Sequence, residues 1–270
     1  MKKEASRQSD KALFEGMTSL RAVLYAMENS VSDRKISKVW FDLSRAEKKS
    51  RELAFVKTKS KEYGFDLIPE SGDFIESRAL GTSHGGILFE CTDRTVPHIS
   101  EAKIPENGFI VMLEGIEDPY NFGYAVRSLY AAGADAIVLS PRNWMSAAGV
   151  VCRSSAGCSE MIPLFTADPE DAVSALKENG YKTVCAGIRN SVSAFDADLK
   201  KSLFLIVGGE RRGISAKLLA LADQIVRLDY GRTFNGSLSA ASAASILGYE
   251  ILRQNRSKIP AKVKSKSRKN

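Results

Sequence analysis

Two histidines, four cysteines and two tryptophans in 270 residues leave little material for several kinds of chemistry. With only His84 and His98 available, and no CxxC spacing between Cys152 and Cys158, a zinc site has few candidate ligands and no metal is expected. Cys91, Cys152, Cys158 and Cys185 do not make a disulfide framework in a chain this long, and read as reduced thiols in or near the core of a cytoplasmic protein. No apolar run approaches the roughly 18 residues that span a bilayer, so no membrane partner is expected, and no N-terminal apolar stretch reads as a signal peptide. Familiar signatures are missing too. Glu210 breaks a GxGxxG pattern across residues 208–213, Ile214 follows Gly213 where a Walker loop needs lysine, and HExxH does not occur. Dehydrogenase, P-loop and zinc-peptidase readings lose ground accordingly.

What is present is an ordinary globular composition, 44% apolar, with a net charge of +7. That charge is unevenly placed. From Gln254 onward there are seven basic residues (Arg256, Lys258, Lys262, Lys264, Lys266, Arg268, Lys269) and no acidic ones, so 7 − 7 leaves residues 1–253 formally neutral. Residues 257–270 are therefore expected to form a disordered basic tail, which either adds salt-sensitive affinity for nucleic acid or only solubilises. Within the body, basic residues cluster at Lys48, Lys49, Arg51, Lys57, Lys59 and Lys61.

Two α/β segments flank a stretch of poor structure, 92–107, that contains Pro97 and Pro105. The first is expected to carry helices over 20–28, 47–63 (stopped by Gly64) and 74–80, with strands at 38–41, 65–68 and 87–90. The second alternates more clearly. Strands are expected at 109–113, 136–139, 183–186, 203–207 and 224–228, helices at 121–132, 149–155 and 239–253, and a helix opened by Asp168-Pro169 and closed by Asn179-Gly180. Strands separated by helix-length connections imply a mostly parallel sheet.

Three short blocks each follow a predicted strand. The first, Glu114-Gly115-Ile116-Glu117-Asp118-Pro119-Tyr120-Asn121-Phe122-Gly123, runs into a helix carrying Arg127. The second is Leu205-Ile206-Val207-Gly208-Gly209-Glu210, and the third, Asn235-Gly236-Ser237-Leu238-Ser239, opens a helix of small residues. Strand ends followed by glycine and polar side chains are where open α/β sheets bind ligands. Each block alone is weak, since a Gly-Gly pair after a strand is often only a turn. In order and together they resemble the motifs of the SpoU (TrmH-type) RNA ribose methyltransferases of the SPOUT superfamily. The resemblance covers about 108–253, including the connecting segment 155–164, and residues 12–98 resemble that family's N-terminal extension, with Gly16 and Gly81 to Gly86 at its short motifs.

The resemblance implies a parallel α/β domain (108–256) with a trefoil knot, joined by a linker (99–107) to a small, ribosomal-protein-like α/β RNA-binding domain (12–98). It also implies a homodimer and S-adenosylmethionine (AdoMet) as cofactor, held by Gly208, Gly209, Leu228, Leu238 and Ser239. Asn121, Arg127, Glu210 and Ser237 match the family's polar active-site residues. A guanidinium with a pKa above about 12 makes a poor base. Arg127 is therefore expected to hold RNA phosphate and the developing alkoxide, the proton passing to phosphate, water or Glu210. The chain departs from the family at Ser239, where asparagine is usual, and at Asp229-Tyr230, which replaces Pro-Met. One extra residue also lies between Leu228 and Leu238, and Asn235 is a candidate to compensate for Ser239. The implied activity is methyl transfer to a ribose 2′-hydroxyl of RNA, ribosomal RNA ahead of transfer RNA. An RNA-binding protein without catalysis on the same scaffold, or a base methyltransferase, would fit the same pattern.

Overall fold

The computed structural model describes residues 11–141, 147–209 and 212–256, arranged around two sheets. The N-terminal sheet has the order β1-β4-β2-β3, from β1 (Lys11–Glu15), β2 (Ile36–Asp42), β3 (Asp66–Glu70) and β4 (Ile87–Thr92). It is mixed: β4 runs antiparallel to β1 and β2, whereas β2 and β3 are parallel. Helices α1 (Gly16–Glu28), α2 (Ser50–Tyr63) and α3 (Gly72–Arg78) connect the strands. Phe14 and Phe89 stack at 5.3 Å at the centre of its core. Gly64 ends α2 as expected, its φ of 72° being a conformation glycine adopts without steric cost.

The C-terminal sheet is parallel, in the order β7-β6-β5-β10-β8-β11-β9. Its strands are β5 (Phe109–Glu114), β6 (Ala136–Leu139), β7 (Leu164–Thr166), β8 (Lys182–Ala186), β9 (Val192–Ser193), β10 (Leu203–Gly208) and β11 (Gln224–Arg227). Helices α4 (Pro119–Ala131), α5 (Ala148–Ser154), α6 (Cys158–Met161), α7 (Pro169–Glu178), α8 (Ala216–Leu221) and α9 (Ala240–Gln254) accompany them. Both faces of the sheet are buried, which is why its central strands read as unbroken apolar runs. Along β5, Phe109, Val111 and Leu113 join the core that also contains residues of α4 and α9. Ile110 and Met112 point the other way, into the core shared with α7 and α8. No helix among the described residues is long and apolar enough to cross a membrane.

The segment expected to carry little structure has only a one-turn helix at Ile99–Glu101, yet it is docked. Thr166 donates its N–H to Pro97 O at 2.9 Å, Ile99 is buried, and Tyr181 donates its hydroxyl to Pro105 O.

The two sheets are joined through α5 and α6. Ala148 and Cys152 are part of the N-terminal core, and a Cβ on Gly149 would overlap the carbonyl oxygen of Leu13. A Cβ on Gly157, whose φ is 88°, would overlap Ala22 in the same way. Beside them Arg34 pairs with Glu160 at 2.8 Å, both side chains only 4% exposed. Burial works against the Arg34 cation, and the Glu160 carboxylate outweighs it, so the guanidinium pKa is raised. Arg94 donates to the carbonyls of Ser159, Ile162 and Val31 at 3.0, 2.9 and 2.8 Å.

Candidate active site

The first two blocks meet because β5 and β10 are neighbours in register, Gly208 opposite Glu114. Beyond the strands, Gly209 donates its N–H to Glu114 O at 2.6 Å and Gly213 donates to Gly209 O at 3.0 Å, folding the second block back on itself. A Cβ on Gly209 would overlap the carbonyl oxygen of Gly115, and one on Gly208 would stand 2.5 Å from the Gly213 carbonyl carbon. Two successive glycines are therefore a steric requirement here. In the first block Asp118 caps α4, accepting from the Asn121 N–H at 2.7 Å, with Pro119 at the first helical position. The third block approaches from β11. Ser239 is the N-cap of α9, its hydroxyl accepting from the Ser242 N–H at 3.2 Å.

These strand ends enclose a cavity of about 380 Å³. Gly208, Gly209, Leu228, Ser237 and Leu238 line it, together with Ile225, Leu219 and Tyr230. Ser239 does not line it, its hydroxyl serving as the helix cap. The residues from Ala186 to Arg189, at the end of β8, complete the wall and were not expected. The signal was available, since Gly187 follows an apolar strand just as Gly208 does. Volume and apolar lining suit a small molecule with an extended apolar portion, in the range of about 300–1,000 Å³ typical of such sites.

The remaining expected residues are dispersed. Asn121 is partly buried at the first turn of α4, and Arg127 stands exposed on the same helix, neither lining the cavity. Arg127 lies close enough to Cys158 for its charge to oppose the burial that pushes that thiol up. Glu210 lies outside the described residues, as does the basic tail 257–270. Asn235 is exposed in the segment leading to α9. Gly81 to Gly85 spells GxSxG, but this run lies between α3 and β4, not between a strand and a helix as a nucleophile elbow requires. Its His84 is buried, accepting from the Gly86 N–H at 3.1 Å.

A parallel α/β sheet with a glycine-lined cavity beyond the carboxyl ends of adjacent strands defines a ligand-binding enzyme of the open-sheet class. The chain belongs to the SpoU rRNA methylase family, whose model matches residues 108–249. Among curated relatives, a protein of Staphylococcus saprophyticus named for the TrmH family of tRNA/rRNA methyltransferases is 29% identical over 146 residues, 54% of this chain and 58% of that one. The chain thus matches little more than half the length of that relative. A 23S rRNA (guanosine-2′-O-)-methyltransferase RlmB of Burkholderia is 24% identical over 246 residues, covering 90% of this chain and 96% of its own. The solved structure of an AdoMet-bound rRNA methyltransferase from Sinorhizobium meliloti superposes with a TM-score of 0.74 at 21% identity, over 90% of this chain and 87% of that one. This last likeness is one of fold.

Proposed function

We infer that this chain transfers a methyl group from AdoMet to a ribose 2′-hydroxyl of RNA, ribosomal RNA ahead of transfer RNA. The observation that carries this reading is the cavity itself. Gly208, Leu228 and Leu238, from three separate stretches of the chain, meet around one apolar space closed by backbone too tight for any side chain at 208 or 209. The residues fit an adenosine-bearing cofactor: apolar walls at Leu219, Ile225 and Leu228 for a ring system, and main chain at Gly208 and Leu238 for its polar edges. AdoMet supplies an activated methyl group there. Arg127 binds the RNA phosphate and stabilises the alkoxide as it develops, a charge placed where the transition state needs it. Asn121 and Ser237 orient the hydroxyl, and its proton passes to phosphate, water or Glu210.

The same reading carries a homodimer, with the cofactor site near the subunit boundary. Phe195 (75% exposed), Ile246 and Tyr249 (70% exposed) form an apolar patch that shares Leu228, Tyr230 and Leu238 with the cavity wall. A trefoil knot in the C-terminal part belongs to this reading as well. Residues 12–98 serve as the RNA reader, 99–107 join them to the methyltransferase domain 108–256, and 257–270 add affinity without selectivity. Lys48, Arg51, Lys57 and Lys61 are exposed on and before α2, where they can meet phosphates. Four buried, unpaired thiols suit a reducing cytoplasm.

One observation favours RNA binding without transfer: the Ser239 hydroxyl caps α9, where the family's asparagine would serve the site. Mass-spectrometric mapping of ribose methylation in RNA from cells with and without the gene decides between the two. Loss of one 2′-O-methyl mark is expected, and an unchanged map would leave binding alone. Calorimetry should show AdoMet binding that persists with chelator, and no binding would remove the cofactor from the reading.

A further inference from the structure

The outward face of α4 carries a stripe of which only Arg127 has so far been given work. Tyr120, Tyr124 and Arg127 stand at i, i+4 and i+7, which at 3.6 residues per turn places them on one side of the helix. All three are exposed, Tyr120 by 38% and Tyr124 by 51%, while Phe122, Ala125, Val126 and Leu129 bury the other side. The stripe begins at the domain junction. Arg153 donates from Nη2 to the Tyr120 hydroxyl at 2.9 Å, and its guanidinium lies 5.7 Å from the Tyr120 ring centroid. Arg153 is also paired with Glu15, whose other carboxylate oxygen accepts the N–H groups of Leu80 at 2.8 Å and Gly81 at 3.2 Å. Two aromatic rings with an arginine at each end thus run from the loop at Gly81 toward the middle of the methyltransferase domain.

We propose that this stripe is a track for single-stranded RNA, one base stacking on Tyr120 and another on Tyr124, with Arg127 taking the phosphate beyond them. The proposal rests on the RNA methyltransferase reading and deepens it by naming the surface that holds the strand near the modified nucleotide. Four residues of helix separate the two rings by about 6 Å, enough for each to carry its own base. Ring faces offer stacking to unpaired bases, which an A-form duplex keeps inside its own stack. Arg127, exposed at one end, supplies a cation for the phosphates that accompany those bases, while Arg153, paired with Glu15, holds the Tyr120 ring in place.

The test titrates the full-length protein with a labelled oligoadenylate of about 12 nucleotides, and with a duplex of the same length. The unaltered chain is compared with Tyr120→Leu, Tyr124→Leu and Tyr124→Phe. Each leucine variant should lose roughly five- to tenfold in affinity for the single strand. The phenylalanine variant should stay within about twofold because the ring remains. Duplex affinity and AdoMet binding should not change. Unchanged single-strand binding in both leucine variants, an equal loss for duplex, or no measurable single-strand binding by the unaltered protein would overturn the track. So would a dimer that sediments as monomer in the leucine variants, since the face would then belong to a second copy of the chain. If AdoMet fails to bind while the leucine variants still lose the single strand, the methyltransferase reading falls and the track stands; the converse result sinks the track alone.

Discussion

At the domain junction Arg34, Arg94, Glu15 and Glu160 are all buried and partnered, whereas around the cavity the chain from Asp229 to Ser237 is exposed throughout. Both places assemble residues from distant parts of the sequence. The junction does so with one ion pair, Arg34–Glu160, desolvated on both sides and with glycines that admit neighbouring backbone, so it has one arrangement and a high cost for leaving it. The cavity's rim is anchored at few points, chiefly Arg227, which pairs with Asp229 at 2.8 Å and donates to Ser191 O at 2.7 Å. One region fixes how the two sheets sit against each other. The other leaves room for a ligand to enter.

If that contrast holds, junction changes should act on stability and leave cofactor affinity alone, and changes at the site should show first in methyl transfer or cofactor affinity. The largest effect is expected for Glu160→Ala, which strands the buried Arg34 cation; denaturant unfolding should show a loss of about 3–5 kcal/mol, with AdoMet affinity of the folded protein unchanged. A loss below about 1 kcal/mol would mean that water reaches the pair. Next, Arg127→Ala should lower single-turnover methyl transfer by about 10²–10³-fold with cofactor binding intact. Arg127→Lys should rescue it poorly, because an ammonium lacks the planar fork. Full activity in the lysine variant would leave Arg127 a simple charge role or none. Gly209→Ala, whose methyl group would overlap the Gly115 carbonyl oxygen, should weaken AdoMet binding by roughly tenfold or more and, because backbone has to move, lower stability by about 1–3 kcal/mol, less than Glu160→Ala.

The smallest effect concerns pH. Hydrogen bonding from Ser193, and then the Arg227 guanidinium, hold the Asp229 carboxyl below its ordinary value. A carboxylate depressed in the folded state contributes above its unfolded pKa of about 3.9 and loses that contribution as pH falls through the folded value. The stability that Asp229 contributes should therefore be flat from neutral pH down to about 5 and fade only below about 4, as Asp229→Asn compared with the unaltered chain in acid unfolding would show. A midpoint near neutrality in the titration would mean that another group controls the rim.

Legibility in the sequence followed the range of the forces involved. The strands at β5 and β10 and the stops at Gly64 and Gly180 depend on neighbours a few residues away, and their patterns were readable. β1 was not, because Lys11–Glu15 becomes a strand only by pairing with Thr92 to Leu88. α1 starts at Gly16, four residues ahead of expectation, after Glu15, whose carboxylate serves Leu80 and Gly81 and not the helix N-terminus. The two-residue β9 and the single turn of α6 are too short for any periodicity. The cavity's glycines and leucines were named through the resemblance to the SpoU family, whose motifs are each short and local in sequence. The Arg34–Glu160 pair joins residues 126 apart, and no pattern within either segment announces it.

The glycines at 149 and 157 reach across what looks like a boundary between modules. A different N-terminal domain grafted ahead of residue 99 would bring its own side chains against those two positions and against Cys152, which already sits inside the N-terminal core. Recombination that respects this packing has to carry α5 and α6 along with the first sheet, although in sequence they lie beyond the linker, inside the second domain. The heritable cassette is thus discontinuous. Chains built this way should therefore change their first domain by point substitution more readily than by exchanging it whole.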